Sequence, residues 1–163
     1  MILREFVEQD RDRLLDILND PEVTRFLSSK IPAPYTFQDA SWWIDVGSKL
    51  GYINAIEIDG TLVGCIGVDQ GDFEYYRSGE IGYWLDRQHW NKGIMTKAVH
   101  EFVSKIFNTT EMTRIFASVF SGNTGSMKLL TKCGFEQEGI HYDAIFKDQV
   151  FYNNHVFAIR KIK

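Results

Sequence analysis

Apolar positions change period several times along the chain, and each change marks an element. Leu14, Leu15 and Leu18 fall on one face of a 3.6-residue period, which predicts a helix over residues 10–20 that stops at Pro21. Thr36, followed three residues later by Asp39, reads as the cap of a second helix over 36–50. Ile94, Met95, Ala98, Val99, Phe102, Val103 and Ile106 form one continuous stripe and predict a third, over 94–106. A shorter fourth is bracketed by Asn123 at its cap and Gly134 at its end. Residues 3–10 read as a short first strand. Residues 52–58 and 61–70 are apolar runs flanking Asp59-Gly60, a pair suited to a type I′ hairpin turn. Residues 78–86 and 114–120 are two further strands, and 135–162 reads as a long hairpin around Lys147-Asp148-Gln149.

The predicted order is β-α-α-β-β-β-α-β-α-β-β. A helix joins the strands at 78–86 and 114–120, so they must run parallel through a crossover, and the other strands pair antiparallel. The expected fold class is therefore α/β of the mixed α+β kind: a mostly antiparallel sheet with one parallel β-α-β crossover and flanking helices. A chain of 163 residues fits a single domain, 1–163.

Composition narrows the picture. Hydrophobic residues are 44% and charged residues 25%, an ordinary globular balance. The net charge of −4 argues against nucleic acid as a partner, since phosphate backbones call for a basic face. Cys65 and Cys133 stand in unrelated contexts without Cys-x-x-Cys or Cys/His spacing. Two reduced, buried thiols in a cytoplasmic protein are expected, with no disulfide and no metal site. No window approaches the roughly 18 apolar residues of a membrane span, and the N-terminus lacks the apolar run of a secretory leader, so no membrane partner is expected.

The chemistry concentrates between Gly79 and Val99, in GEIGYWLDRQHWNKGIMTKAV. A strand runs through the small polar turn Asn91-Lys92-Gly93 straight into a helix. The first amides of a helix have no intrahelical acceptor, and the helix dipole adds partial positive charge, so such a turn can seat a phosphate or pyrophosphate. The same turn also occurs as plain loop geometry, and the spacing alone leaves both readings open. It is neither GxxxxGK[ST] nor GxGxxG, which disfavours ATP and NAD.

Three runs in order, EIGYWL, HWNKGIMTKA and NTGSMKLLTKCGFEQEG, resemble the GNAT acetyltransferase superfamily, and within it the Rim-type ribosomal-protein N-acetyltransferases. The LR near the start and VFAIRK near the end fit the same pattern. The acetyl-CoA loop of that family is written Q/R-x-x-G-x-G/A; here the six positions read Trp90-Asn91-Lys92-Gly93-Ile94-Met95. Asn91 replaces the usual Gly and should stiffen the loop while still tolerating a left-handed backbone. Lys97 stands where Glu is common.

The resemblance implies an acetyl-CoA-dependent N-acetyltransferase that passes acetyl to a primary amine by direct attack in a ternary complex, with no metal. It places the pyrophosphate of acetyl-CoA, the co-substrate, on the amides of Asn91, Lys92, Gly93, Ile94, Met95 and Thr96. The pantetheine arm would pair with the backbone of Tyr83, Trp84 and Leu85 and touch Asn123, which also serves as a helix cap. Ser126 would protonate or hydrogen-bond the departing sulfur, and Glu80 would act as base, through water. A second glutamate found in Rim-type enzymes corresponds to Ile145, leaving His141, Tyr142 and Asp143 as neighbouring substitutes. The acceptor implied is a protein N-terminal α-amine. A small amine (polyamine, amino acid or antibiotic) is the alternative, as is a non-catalytic acyl-CoA-binding module. The acceptor pocket would draw on Phe26, Tyr35, Trp42 and Trp43, and a homodimer is expected by analogy with relatives.

Overall fold

The computed structural model describes residues 1–162. Among these the order is β1 (Ile2–Arg4), α1 (Arg11–Leu18), α2 (Pro21–Thr24), α3 (Phe37–Asp45), β2 (Tyr52–Ile58), β3 (Thr61–Gln70), β4 (Ser78–Leu85), α4 (Ile94–Thr109), β5 (Arg114–Phe120), α5 (Thr124–Lys132), β6 (Glu136–Lys147) and β7 (Val150–Arg160). The strands lie in one sheet in the order β1-β2-β3-β4-β5-β7-β6. β4 and β5, joined through α4, pair in parallel from Ser78 opposite Arg114 to Glu80 opposite Phe116. The pairs β1–β2, β2–β3, β5–β7 and β6–β7 are antiparallel. This is the mixed α/β sheet with one parallel crossover that the hydrophobic pattern predicts. The chain gathers into two compact units, residues 1–68 with 82–98, and residues 69–81 with 99–163.

In the first unit, Asp59 and Gly60 take φ of 49° and 78°, so both central residues of the β2–β3 turn are left-handed, as a type I′ turn requires. Phe6, Leu14, Leu18, Tyr35, Ala40, Ile44, Ala55, Leu62 and Cys65 form its core, with Trp43 and Trp84 packed against it. Each large side chain so buried contributes about 1.5–3 kcal/mol.

Three sequence expectations are corrected here. The first strand stops at Arg4, because Asp10 folds back to accept from the Arg4 guanidinium at 2.7 and 2.8 Å and from the Val7 amide at 3.0 Å. Pro21 starts a helix as well as ending one: the Asp20 carboxylate accepts from the Glu22 amide at 2.9 Å, and the proline takes the first helical position, where its missing N–H costs nothing. The helix capped by Thr36 and Asp39 begins as expected but ends at Asp45. Val46 leaves helical geometry at φ −130°, and the chain passes so close to two indoles that a Cβ on Gly47 would lie 2.6 Å from the Trp42 ring.

In the second unit, Ile115, Ala117 and Val119 of β5 alternate with more exposed neighbours, and Phe157 opposite Ala117 is buried on the same face. Val99, Phe102, Val103, Ile106 and Phe107 bury the stripe of α4. That helix runs to Thr109, three residues past the expected end, and the hydroxyls of Thr109 and Thr110 donate back to Lys105 and Ile106 at 2.8 and 2.7 Å. α5 closes with a Schellman motif: Phe135 N–H donates to Leu130 O at 3.0 Å and Gly134 N–H to Thr131 O at 3.1 Å, with Gly134 at φ +85°. β6 and β7 turn at Asp148 and Gln149, both with positive φ, and β6 bulges between His141 and Ile145.

Candidate active site

The strand-to-helix turn is assembled in the first unit. β4 ends at Leu85, and Asp86 opens a single 3-10 turn over Arg87–His89 by accepting from the Gln88 amide at 3.1 Å. Asp86 is itself buried, with 8% of its surface exposed, and cannot be left as a lone anion there. The Arg13 guanidinium from α1 meets it at 2.6 Å, His89 Nδ1 lies 3.5 Å away, and its own amide donates to Val63 O at 2.8 Å. Burial works to raise the Asp86 carboxyl, but the Gln88 amide, Arg13 and His89 outweigh it and hold it below the usual carboxylate range. Trp90 follows, and its indole N–H donates to Leu85 O at 2.8 Å, bracing the turn against the end of the strand it leaves. Neither the Arg13–Asp86 anchor nor the Trp90 brace is visible in sequence: one joins residues 73 apart, and the other puts a tryptophan where the family pattern has Gln or Arg.

Beyond Trp90 the backbone turns left-handed twice, at Asn91 (φ 59°) and Gly93 (φ 75°). Asparagine is among the few residues that enter this region readily, so its presence in place of glycine fits the geometry. A Cβ built on Gly93 would meet nothing within 4 Å, so the backbone there is open to an approaching group. Asn91, Lys92 and Gly93 are exposed, Ile94 and Thr96 half-buried and Met95 buried. At the start of α4 the Lys97 amide donates to Gly93 O at 3.1 Å. Tyr83 and Trp84 are half-buried on β4, and Trp84 also packs on the core of this unit. The Trp84 carbonyl would lie 2.7 Å from a Cβ on Gly64, so β4 approaches β3 at a glycine. The Leu85 carbonyl is already taken by Trp90.

The second unit holds Glu80, Asn123 and Ser126. Glu80 is exposed on β4 directly opposite Phe116, the last pair of the parallel register. Asn123 Oδ1 accepts from the Ser126 amide at 3.2 Å, so the asparagine caps α5 as its spacing predicts. His141, Tyr142 and Asp143 lie exposed on the β6 bulge, with Asp143 at φ 50°, and Ile145 is half-buried opposite Tyr152.

Of the aromatics expected around an acceptor, Tyr35 is in the core and Trp43 stacks edge-on to Phe6 at 5.9 Å. Trp42 is exposed, and Phe26 lies under the Arg25 guanidinium. Cys65 and Cys133 are buried thiols outside any disulfide, and burial pushes both up, away from the nucleophilic thiolate. Among the described residues no helix is long and apolar enough to cross a membrane, and no cluster of three or more His, Cys, Asp or Glu is placed to hold a metal ion.

The chain matches known proteins in sequence and in fold. Residues 1–136 match the family model described as acetyltransferase (GNAT) domain. The uncharacterised N-acetyltransferase p20 of Bacillus licheniformis is 33% identical over 151 residues, covering 88% of this chain and 83% of that one. The ribosomal-protein-serine acetyltransferase of Escherichia coli is 27% identical over 82 residues, half of this chain and 46% of that one. Among solved structures, the ribosomal L7/L12 alpha-N-protein acetyltransferase RimL in complex with coenzyme A superposes with a TM-score of 0.84 at 17% identity, covering 97% of this chain and 92% of that one. A family model spanning most of the chain and a relative one-third identical across nearly all of it lead to one conclusion: this chain belongs to the GNAT family of N-acetyltransferases.

Proposed function

We propose that the protein transfers acetyl from acetyl-CoA to the N-terminal α-amine of a protein, as one cytoplasmic catalytic domain spanning 1–163. The observation that carries the reading is the open left-handed turn ahead of α4, with Asn91 at φ 59° and Gly93 at φ 75°. Its amides from Asn91 to Thr96 point to a diphosphate seat, and exposed Lys92 supplies a cation. The residues fit the coenzyme: open space at Gly93 admits a ligand to the backbone, and the helix offers donors where negative charge would sit. The backbone of Tyr83 and Trp84, past the last register pair at Glu80, would receive the pantetheine amides as an added strand. Leu85 would contribute its N–H, since its carbonyl is engaged. Asn123, whose side-chain oxygen caps α5, is assigned to the pantetheine arm on the family resemblance.

Attack requires a neutral amine. An α-amine ionises near pH ~8 and a lysine near ~10.4, so an exposed carboxylate acting through water is enough base for the former and a weak one for the latter. Glu80 is assigned that task, and Ser126, at the third position of α5, the donor to the leaving sulfur. The E. coli relative is named a ribosomal-protein-serine acetyltransferase, which supports a protein acceptor.

The test is release of free CoA thiol from acetyl-CoA, measured with peptides bearing free N-termini, the same peptides N-blocked, and a panel of polyamines, amino acids and aminoglycosides. Turnover confined to free N-termini is expected. Turnover confined to small amines would move the acceptor to that class, and binding of CoA without any turnover would make the protein an acyl-CoA-binding module.

A further inference from the structure

The loop joining β3 to β4 presents aromatic rings to solvent. Phe73 is 85% exposed, Tyr75 73% and Tyr76 46%. Isolated exposed rings are ordinary, but three within four residues are a patch. The loop is not loose. The Gly71 amide donates to Ser78 O at 2.8 Å, Tyr75 to Asp72 O at 2.9 Å and Tyr76 to Phe73 O at 3.1 Å. The Gln70 side chain donates to Tyr76 O, and Arg77 Nε donates to Glu111 O at 2.9 Å. A Cβ on Gly71 would lie 2.7 Å from Tyr75 O, so the closure depends on glycine. Phe73 sits at φ 50°, a backbone conformation unfavourable for a bulky side chain, and yet is the most exposed of the three rings.

Charge decides what such a patch can take. Residues 69–77 carry Asp69, Asp72 and Glu74, all three exposed, against one basic residue, Arg77, whose Nε is turned to Glu111 O, so the loop is net acidic. An anionic lipid surface or a nucleic acid would be repelled, and so would a second copy bringing the same patch face to face. A guanidinium or ammonium would be held over a ring face and paired with a carboxylate at once. The second unit uses the same chemistry internally, where Arg114 lies 4.8 Å over the Phe116 ring and pairs with Glu138. We propose that the β3–β4 loop, through Phe73, Tyr75, Tyr76, Asp72 and Glu74, is a docking surface for a lysine- or arginine-rich segment of a partner protein. This surface uses none of the residues assigned to acetyl transfer and stands whether or not that assignment holds.

The experiment is fluorescence anisotropy with a labelled arginine–alanine repeat peptide blocked at both ends, which has no primary amine and cannot be acetylated. Saturable binding that weakens as salt is raised is expected. Phe73→Ser with Tyr75→Ser, and separately Asp72→Asn with Glu74→Gln, should each reduce affinity about tenfold while leaving the melting transition in place. If the aromatic pair perturbs the melt, Tyr75→Ser alone replaces it. Absence of saturable binding, equal binding of a glutamate–alanine repeat, or wild-type affinity in both variants would overturn the proposal. Self-association abolished by Phe73→Ser with Tyr75→Ser would assign the patch to a second copy and overturn it equally.

Discussion

Asp86→Ala strikes the anchor of the proposed coenzyme turn, and its cost can be worked from the contacts. The substitution removes the acceptor that caps the Arg87–His89 turn at 3.1 Å, a loss of about 1 kcal/mol. It also removes the 2.6 Å charge-assisted bond from Arg13. Such bonds contribute about 1.5–3 kcal/mol when buried. Because the Arg13 side chain is 30% exposed, water solvates it partly in either state, and roughly 1–2 kcal/mol is the better figure. The sum, roughly 2–3 kcal/mol, corresponds at this chain length to a fall in Tm of about 5–10 °C. Arg13→Met keeps the cap and should lose about 1–2 kcal/mol. The double variant should recover a coupling of about 1 kcal/mol, measured by denaturant unfolding of all four proteins. An additive cycle, within about 0.3 kcal/mol, would refute the claim that Arg13 and Asp86 act as a unit. The pH dependence has a definite sign. The folded-state carboxyl lies below its unfolded value of ~3.9, so its stabilisation is complete above that value and disappears as pH falls through the folded one. The stability gap between wild type and Asp86→Asn should therefore be full at neutral pH and close below about pH 4.

Four further outcomes are expected. Gly93→Ala meets open space but forces a side chain to φ 75°, so calorimetry should show CoA affinity lowered about tenfold with a loss of stability no larger than about 1–2 kcal/mol; unchanged affinity would count against the diphosphate seat. Gly64→Ala drives a methyl to 2.7 Å from Trp84 O and 2.9 Å from Leu85 Cδ1, and chemical denaturation should register a loss of about 1–3 kcal/mol. Glu80→Gln should depress kcat most at low pH, where the amine most needs a base, and converge on wild type as pH rises; a uniform loss at every pH would remove Glu80 from proton transfer. Ser126→Ala should lower kcat at saturating acetyl-CoA while the Asn123 cap, which uses the backbone amide, keeps α5 stable; full turnover would exclude the serine from the chemistry.

Where a residue acts on near neighbours, its role could be read from sequence. Asp59-Gly60, Thr36 with Asp39, Asn123 and Gly134 each do what their spacing predicts, because turns and caps close within five residues. The strand 114–120 and the stripe of α4 follow from periodicity, since one face had to be buried. The misreadings share a cause in contacts between distant or unexpected partners. Residues 5–10 have strand-like polarity, yet Asp10 is drawn out of line by Arg4. Residues 46–50 have helical composition, yet Gly47 must clear two indoles. In the candidate site the loop itself was legible from Asn91-Lys92-Gly93. Its supports were not, because the Arg13–Asp86 pair spans the interval from α1 to the end of β4, and no local pattern records it.

The left-handed turn at Asn91 has a bearing on how this family should be searched. The turn ahead of α4 calls at that position for a dihedral angle, and glycine, asparagine and, less readily, aspartate can all supply it. A motif spelled in letters discards chains that meet the demand with a different letter. One written as a run of permitted backbone states would keep them, and would exclude valine, isoleucine and threonine at the same place on steric grounds alone.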